Sequence, residues 1–160
     1  MTTIAVLFEQ MNRAAKAYQK ALETYPEDKF HQAVPAGGHS AAWHALHIAD
    51  WVQILVPNKL ESVSADLRFG YLGWENSEFA QGVYGLGEVN HNSSKAEIVQ
   101  HLKTQLGRAA QDVQNASEAQ LEANVSTPMG ERKILSILLT HIAHVPYHYG
   151  QVQLSLKQQL

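Results

Sequence analysis

The histidines near the C-terminus of this 160-residue chain are the residues whose type and spacing best suit metal binding. His144 and His148 are four residues apart in the sequence His-Ile-Ala-His-Val-Pro-Tyr-His-Tyr-Gly-Gln, which runs from position 141 to 151. On a helix this spacing places both imidazoles on one face, one turn apart, close enough to bind one metal ion. Two imidazoles do not complete a metal site, so a third donor has to come from another part of the chain.

A second histidine-bearing segment, Trp-His-Ala-Leu-His-Ile-Ala-Asp-Trp at positions 43 to 51, offers this donor. On a helix, His47 falls within the apolar stripe that faces the core, and His44 falls at the edge of that stripe. We therefore predict that His47 joins His144 and His148 around one divalent transition metal inside a helical bundle. Imidazole suits zinc, nickel, copper and iron alike, so the ligand type leaves the identity of the metal open.

Three neutral imidazoles would leave a coordination position open for water or substrate, as in catalytic rather than structural metal sites. A bound ion acts as a Lewis acid and lowers the pKa of a coordinated water or thiol. Asp50 and Gln151 each lie one helical turn from a predicted ligand and are candidates to orient a ligand or the metal-bound group. The sequence assigns no catalytic residue.

The same histidines are also consistent with a bundle that holds no metal. A single histidine on an apolar face is more often a hydrogen-bonded core residue than a ligand. His44 and His141 are candidates for spare ligands, for groups that orient a ligand, or for packed residues. We predict that the other histidines lie at the surface or at helix ends, namely His31, His39, His91 and His101.

Aromatic residues accompany both histidine segments. We expect them mainly in the core, because they occur at helical spacing; they are Trp43, Trp51, Trp74, Tyr147 and Tyr149. In the long connection, Trp74 and Tyr84 are also candidates to line a pocket over the ion.

The composition narrows the class of protein. The chain has no cysteine, so any metal must be bound by nitrogen or oxygen. A net charge of −3 with 12 basic residues spread along the chain disfavours nucleic acid as a ligand. No apolar run reaches the roughly 20 residues that span a bilayer, and residues 1–5 lack the segments of a secretory signal. We expect a cytoplasmic protein with no membrane and no nucleic-acid partner, folded as one domain over residues 1–160.

Apolar residues recur at steps of three and four in four segments, which predicts four amphipathic helices. The first runs from Ile4 to Tyr25 and is stopped by Pro26. The second starts after Ser40, a good N-cap residue, and runs to about Val56. Both boundaries rest on residue types that favour or interrupt helices.

The third and fourth helices also have start signals. Ser94 and Glu97 form a capping-box pattern at the start of the third helix. Thr127 and Pro128, a cap residue followed by proline, predict the start of the fourth helix, which should continue nearly to the C-terminus.

The connection between the second and third helices, residues 58–93, is far longer than the few residues that join antiparallel neighbours. It is long enough to cross the bundle. We therefore predict an all-α four-helix bundle with a long crossover, in which the second and third helices run in the same direction. Glycines punctuate the crossover, so we expect irregular structure there with a short helix.

These motifs resemble the DinB/YfiT-like family of metal-dependent bundle proteins. The resemblance rests on Pro-Ala-Gly-Gly-His-Ser at positions 35 to 40, on the segment from 43 to 50, and on His-x-x-x-His-x-Gly-Gln ending at position 151. It implies a four-helix bundle that is commonly dimeric. It also implies that His47, His144 and His148 take the places of ligands for zinc, nickel or a related ion.

The resemblance implies a thiol partner as well, because some family members transfer low-molecular-weight thiols and others isomerise maleylpyruvate with a thiol cofactor. This chain departs from the family pattern at three positions. Tyr147 and Tyr149 stand where relatives often carry histidine and arginine, and Pro146 stands between two predicted ligands. The missing arginine disfavours an anionic or carboxylate-bearing substrate.

Two classes of function follow from these observations. The first is a metal-dependent enzyme that activates a thiol or water, as a thiol S-transferase or a hydrolase. The second is a non-catalytic, metal-stabilised homodimer with a binding or stress-response role. Apolar residues on outward faces of the bundle would favour the second class.

Overall fold

The computed structural model describes residues 2–35 and 37–159. In chain order its helices and strands are α1 (Thr3–Thr24), α2 (Ala41–Leu55), α3 (Glu78–Gln81), α4 (Lys95–Gln114), α5 (Glu118–Glu122), β1 (Asn124–Thr127), β2 (Gly130–Lys133) and α6 (Ile134–Gln159). Single 3-10 turns cover Glu27–Lys29 and Asn58–Leu60. The predicted all-α four-helix bundle is confirmed, with α1, α2, α4 and α6 as its long helices. Met1, Leu160 and Ala36, which belongs to the motif before α2, lie outside the described residues.

Side-chain caps begin α2 and α4 where the sequence predicted. The Ser40 Oγ accepts a hydrogen bond from the Trp43 N–H at 3.1 Å. Ser94 and Glu97 form a complete capping box, in which each side chain accepts from the backbone N–H of the other residue. These caps satisfy N–H groups that have no partner within the helix, so they define where each helix begins.

Contacts at the ends of α2 and α4 show that these two helices run in the same direction. The Arg108 guanidinium donates to the Val56 carbonyl at 2.9 Å, and the Lys59 N–H donates to the Asp112 carboxylate at 3.0 Å. Both contacts join the C-terminal end of α2 to the C-terminal end of α4. The predicted crossover is therefore confirmed. Around the bundle, α1 and α2 each pack against α4 and α6.

Helix α2 lies inside the bundle, and only its Trp43 and Gln53 are partly exposed. A helix that is apolar on all sides can bury its whole surface when neighbours cover it. The polar side chains of α2 are therefore buried with the rest of the helix. Neither α2 nor any other helix within residues 2–35 and 37–159 combines the length and apolar character that crossing a bilayer requires.

Residues 69–72, here called the strap, lie in the crossover and cover one side of α2. Phe69 is fully buried, and its N–H donates to the Val83 carbonyl at 2.9 Å. Tyr71 and Leu72 are also buried. The rest of the crossover is irregular, as predicted, apart from the short helix α3 and the 3-10 turn at Asn58–Leu60.

The predicted start of the fourth helix is wrong. Thr127 and Pro128 lie in the β1–β2 hairpin, in which Thr127 pairs with Gly130, and α6 begins only at Ile134. The Thr127 hydroxyl donates to the Gly130 carbonyl at 2.8 Å and accepts from the Met129 N–H at 3.1 Å. Proline after a hydroxyl residue suits a β-turn as well as a helix start, and a glycine three residues after the first turn residue favours the turn. Gly130 has φ +90°, which a helix start does not require.

Candidate metal centre

Three histidines from two helices meet where α2 and α6 pack against each other. One ring nitrogen from each of His47, His144 and His148 lies within 4.8 Å of the other two. The Nε2 atoms of His47 and His144 are 3.1 Å apart. The packing of α2 against α6 thus brings together the three side chains that the sequence predicted to converge.

Hydrogen bonds determine which nitrogen each ring directs to this cluster. The His47 Nδ1 lies 2.6 Å from the Tyr71 carbonyl oxygen. A carbonyl only accepts, so His47 must carry a proton on Nδ1, and in the neutral ring its lone pair is on Nε2, the atom that faces His144. The His148 Nδ1 lies 2.9 Å from the His44 Nδ1. When His148 donates in this pair, its Nε2 also presents a lone pair.

The strap connects Asp50 to His47 through one residue. The Tyr71 N–H donates to the Asp50 carboxylate at 2.8 Å, while the Tyr71 carbonyl accepts from His47. The Trp51 indole N–H donates to the Leu72 carbonyl at 3.1 Å. Asp50 therefore orients His47 indirectly, by holding the backbone that His47 binds. The second candidate for this role, Gln151, lines a separate cavity behind His44 and His148.

Burial keeps the histidines of the cluster neutral. It lowers the pKa of His47 to about 3 and the pKa of His144 to about 4. Burial and then the neighbouring imidazoles also lower the pKa of His148, and burial lowers the pKa of His44 to about 4. Burial has the opposite effect on a carboxyl group and raises the pKa of Asp50 to about 7. At neutral pH the imidazoles thus have unprotonated nitrogens that are able to bind a cation.

Acidification of the metal-free protein is expected to lower its free energy of unfolding. Five histidines at or near the cluster, four of them buried and His144 partly buried, have lowered pKa values, namely His44, His47, His141, His144 and His148. The unfolded chain protonates them below about pH 6.5, whereas in the folded chain each stays neutral down to its own lowered pKa. Their contribution to stability is therefore fully present above about pH 6.5 and is lost progressively as the pH falls to their folded pKa values, about 4 for His44 and His144 and about 3 for His47 and His141.

Asp50 opposes this trend, because a raised pKa makes the folded state bind more protons than the unfolded chain between the two pKa values. Asp50 is a single group, whereas five histidines lower the stability on acidification. Urea denaturation in the presence of a chelator, at about pH 7.5 and about pH 4.5, measures the difference. Equal free energies of unfolding at the two pH values would contradict the prediction.

Comparison with known proteins identifies the family. The family model described as the DinB superfamily matches residues 10–152. The chain belongs to the DinB superfamily. A crystal structure of a DinB-like protein from Bacillus cereus ATCC 10987 matches with a TM-score of 0.67 over 96% of this chain and 90% of that chain. The two sequences are 14% identical, so this match shows a shared fold, and no curated protein matches the chain.

The other histidines of this DinB chain lie outside the cluster. His31, His39 and His91 are exposed as predicted, whereas His101 is half-buried on α4. His141 is buried but does not belong to the group whose nitrogens converge. The His44 Nδ1 lies 2.9 Å from the His148 Nδ1, so His44 is a hydrogen-bond partner of a predicted ligand.

A cavity of about 430 Å³ opens beside the three histidines in the DinB fold. Its walls include Trp43, Trp51, Trp74 and Tyr147. Trp51 is buried as expected, but Trp74 and Tyr147 have exposed fractions of 59% and 63%, so the core positions predicted for them are wrong. Trp74 instead lines the cavity, which was the alternative prediction. Tyr84 is exposed and is not among the lining residues, so the same prediction is wrong for Tyr84.

The core prediction is also wrong for Tyr149, which is exposed on α6. The hydrophobic repeat of a helix indicates which positions are apolar but not whether a neighbour covers them. In the crossover, which has no periodic pattern, the positions of Trp74 and Tyr84 depend on how the chain folds back over α2.

Proposed function

We propose that this DinB protein binds a divalent transition metal, zinc or nickel, through His47, His144 and His148. The observation that supports the proposal is the convergence of three neutral imidazole nitrogens within 4.8 Å of one another. In a tetrahedral zinc site, nitrogens 2.0–2.1 Å from the ion lie roughly 3.3 Å apart. The 3.1 Å between the Nε2 atoms of His47 and His144 is close to this spacing.

The hydrogen bonds around the cluster also suit a metal ligand set. His47 uses Nδ1 for the Tyr71 carbonyl and leaves Nε2 for a ligand, a division that is typical of metal-bound histidines. The His144 Nδ1 is buried and has no hydrogen-bond partner within residues 2–35 and 37–159. Because the His144 Nε2 is the atom that faces His47, this second nitrogen lacks the orienting hydrogen bond that the His47 Nδ1 makes.

We further propose that the protein is an enzyme of the thiol S-transferase or hydrolase type. A bound divalent ion supplies a Lewis acid that lowers the pKa of a thiol or water at a position that three protein ligands leave open. His47, held by the strap, and the α6 pair His144 and His148 provide a rigid ligand set. The cavity beside them gives a substrate access to the cluster.

Elemental analysis of tag-free protein tests the metal proposal. About one zinc or nickel ion per chain is expected after loading and desalting. The His31→Ala variant, in which an exposed histidine outside the cluster is removed, is the matched control and should bind the same amount. A wild-type protein that retains no metal would refute the metal site. Metal-loaded protein that shows no turnover with any thiol and electrophile pair, and no hydrolysis, would refute the enzymatic part alone.

Replacing Asp50 by alanine is expected to weaken metal binding about 10- to 100-fold. The variant removes the acceptor for the Tyr71 N–H and so loosens the carbonyl that orients His47. Competition with a chromophoric chelator measures the dissociation constant. Asp50→Asn keeps an acceptor oxygen at this position and should retain most of the affinity. Equal losses in both variants would contradict a role that acts through the Tyr71 backbone.

A second proposal, a homodimer in which the metal only stabilises the assembly, has one observation in its favour. The outward face of α6 exposes Leu139, Tyr147 and Leu154, and no charged residue occurs from position 134 to 156. Such a face suits burial against a second copy. Light scattering after gel filtration should show a dimer for the wild type and a monomer for Leu139→Glu combined with Leu154→Glu. A monomeric wild type would end this proposal.

The location in the cytoplasm and the single domain over residues 1–160 stay predictions from the sequence. The proposed low-molecular-weight thiol partner likewise depends on the resemblance to the family. The assays above address the thiol directly, because they compare different thiols on the same metal-loaded protein.

A further inference from the structure

Aromatic rings form most of the walls of the cavity beside the three histidines, and Leu55, Leu72, Gly73 and Thr140 complete them. Trp51 and Trp74 meet edge to face, with ring centroids 5.6 Å apart and an angle of 81° between the ring planes. Trp43 stacks on His47 at 4.6 Å. Tyr147, from α6, also lines the cavity. Edge-to-face and stacked arrangements are those that aromatic rings prefer, so these walls present suitable surfaces to another ring.

The aromatic rings of the cavity differ in how far other side chains cover them. Both faces of Trp43 are already occupied, since His39 stacks on it at 3.5 Å and His47 stacks on it as well. Trp74 and Tyr147, in contrast, are more than half exposed although each is large and mainly apolar. Exposed aromatic side chains that line a concave site are typical of ligand-binding surfaces.

The cavity has hydrogen-bonding groups but no fixed positive charge that would bind an anion: its polar side chains include imidazoles and the hydroxyls of Thr140 and Tyr147. Among the residues that the structure describes, no Lys, Arg, Asp or Glu side chain lines it. Glu75 follows Trp74 in sequence and accepts a hydrogen bond from the Gly73 N–H at 3.0 Å, so a carboxylate lies beside the mouth. A carboxylate in this cavity would lose its hydration without gaining a cationic partner, apart from any metal.

From these walls, free ring faces and absence of cationic side chains, we propose that the cavity binds the uncharged aromatic body of a substrate whose reactive group points to the three histidines. The volume of about 430 Å³ lies within the range of small-molecule sites and accommodates one or two rings. This assignment rests on the proposed metal-dependent function, which it refines by naming the class of substrate.

The direct test uses two thiols, phenylmethanethiol and 4-(mercaptomethyl)benzoate, which differ by one added carboxylate group. Calorimetric titration of the zinc-loaded protein without oxygen measures both affinities. The uncharged thiol is expected to bind about tenfold more tightly or better. Trp74→Ala should weaken its binding about tenfold. Tyr84→Ala, which removes an exposed aromatic ring of the crossover that does not line the cavity, should change nothing.

Several outcomes would overturn the substrate class. The carboxylate analogue could bind as tightly as phenylmethanethiol or more tightly. Cyclohexylmethanethiol could bind as tightly as phenylmethanethiol, or the Trp74→Ala variant could bind phenylmethanethiol with unchanged affinity. Because Trp74 is exposed, this variant should remain folded, and its thermal denaturation verifies that.

A second measurement separates this inference from the metal proposal. Saturation-transfer NMR on chelator-treated protein compares benzyl alcohol with 4-(hydroxymethyl)benzoate, neither of which carries a thiol. Preferential binding of benzyl alcohol, lost in the Trp74→Ala variant, supports the aromatic site. This holds even if elemental analysis finds no metal. Metal binding without this selection would overturn the aromatic site and leave the metal proposal standing.

Discussion

Replacing His144 by alanine is expected to lower the affinity for a divalent metal about a thousandfold, or about 4 kcal/mol. Three imidazoles of the cluster contribute one nitrogen each, and two remaining donors bind a divalent ion far more weakly. His144 is the most informative of the three to remove. It is only partly buried, and its Nδ1 has no hydrogen-bond partner in the described part of the chain, so alanine leaves few protein groups unsatisfied.

Two measurements test this prediction. Competition with a chelator gives the dissociation constant directly. Thermal unfolding with metal at about 100 times the wild-type dissociation constant should stabilise the wild type by about 2.7 kcal/mol and leave the variant nearly unchanged. His31→Ala again serves as the control. A His144→Ala protein that is folded and binds metal with wild-type affinity would show that the three-histidine ligand set is wrong.

Replacing Phe69 by alanine is expected to cost about 3–5 kcal/mol of stability. Phe69 is fully buried in the strap, so its removal leaves a cavity lined by side chains that cannot fully close it. In a domain of this length, such a loss lowers the unfolding midpoint by roughly 10 °C. Urea denaturation of the metal-free protein measures the free energy, and a cost below about 1 kcal/mol would contradict the packing described for the strap.

Tyr84→Ala is a matched control for this variant. Tyr84 is joined to Phe69 by a backbone bridge but has an exposed side chain. Its truncation should change the free energy of unfolding by no more than about 0.5 kcal/mol. Under conditions in which the Phe69→Ala protein is folded, it should also bind metal more weakly. The substitution loosens the strap, and the strap contains the Tyr71 carbonyl that orients His47.

The long helices and their order were accessible from the sequence because the signals that determine them are local. Ser40 and Ser94 cap helices through atoms three residues away, so the sequence alone places these starts correctly. The direction of α4 relative to α2 followed from chain length, since residues 58–93 are enough to cross the bundle. The local pattern was insufficient at Thr127 and Pro128, because these two residues suit both the start of a helix and a hairpin turn.

The contacts between distant segments were not accessible in this way. His47 is oriented by the backbone carbonyl of Tyr71, and every residue has a carbonyl, so no side-chain pattern identifies this partner. The exposed positions of Trp74 and Tyr147 depend on which surfaces the crossover leaves uncovered. Both residues have large, mainly apolar aromatic side chains, and such side chains occur in protein cores as well as in binding sites.

The sequence by itself determined four helices, the face on which His144 and His148 lie, and the inward direction of His47, because helical periodicity is a property of neighbouring residues. Only the tertiary structure decided that α2 and α6 align these rings, that His44 contacts His148 and that Asp50 acts through Tyr71. These relations join residues 21 to 104 positions apart, and they arise from packing in three dimensions, which no local spacing encodes.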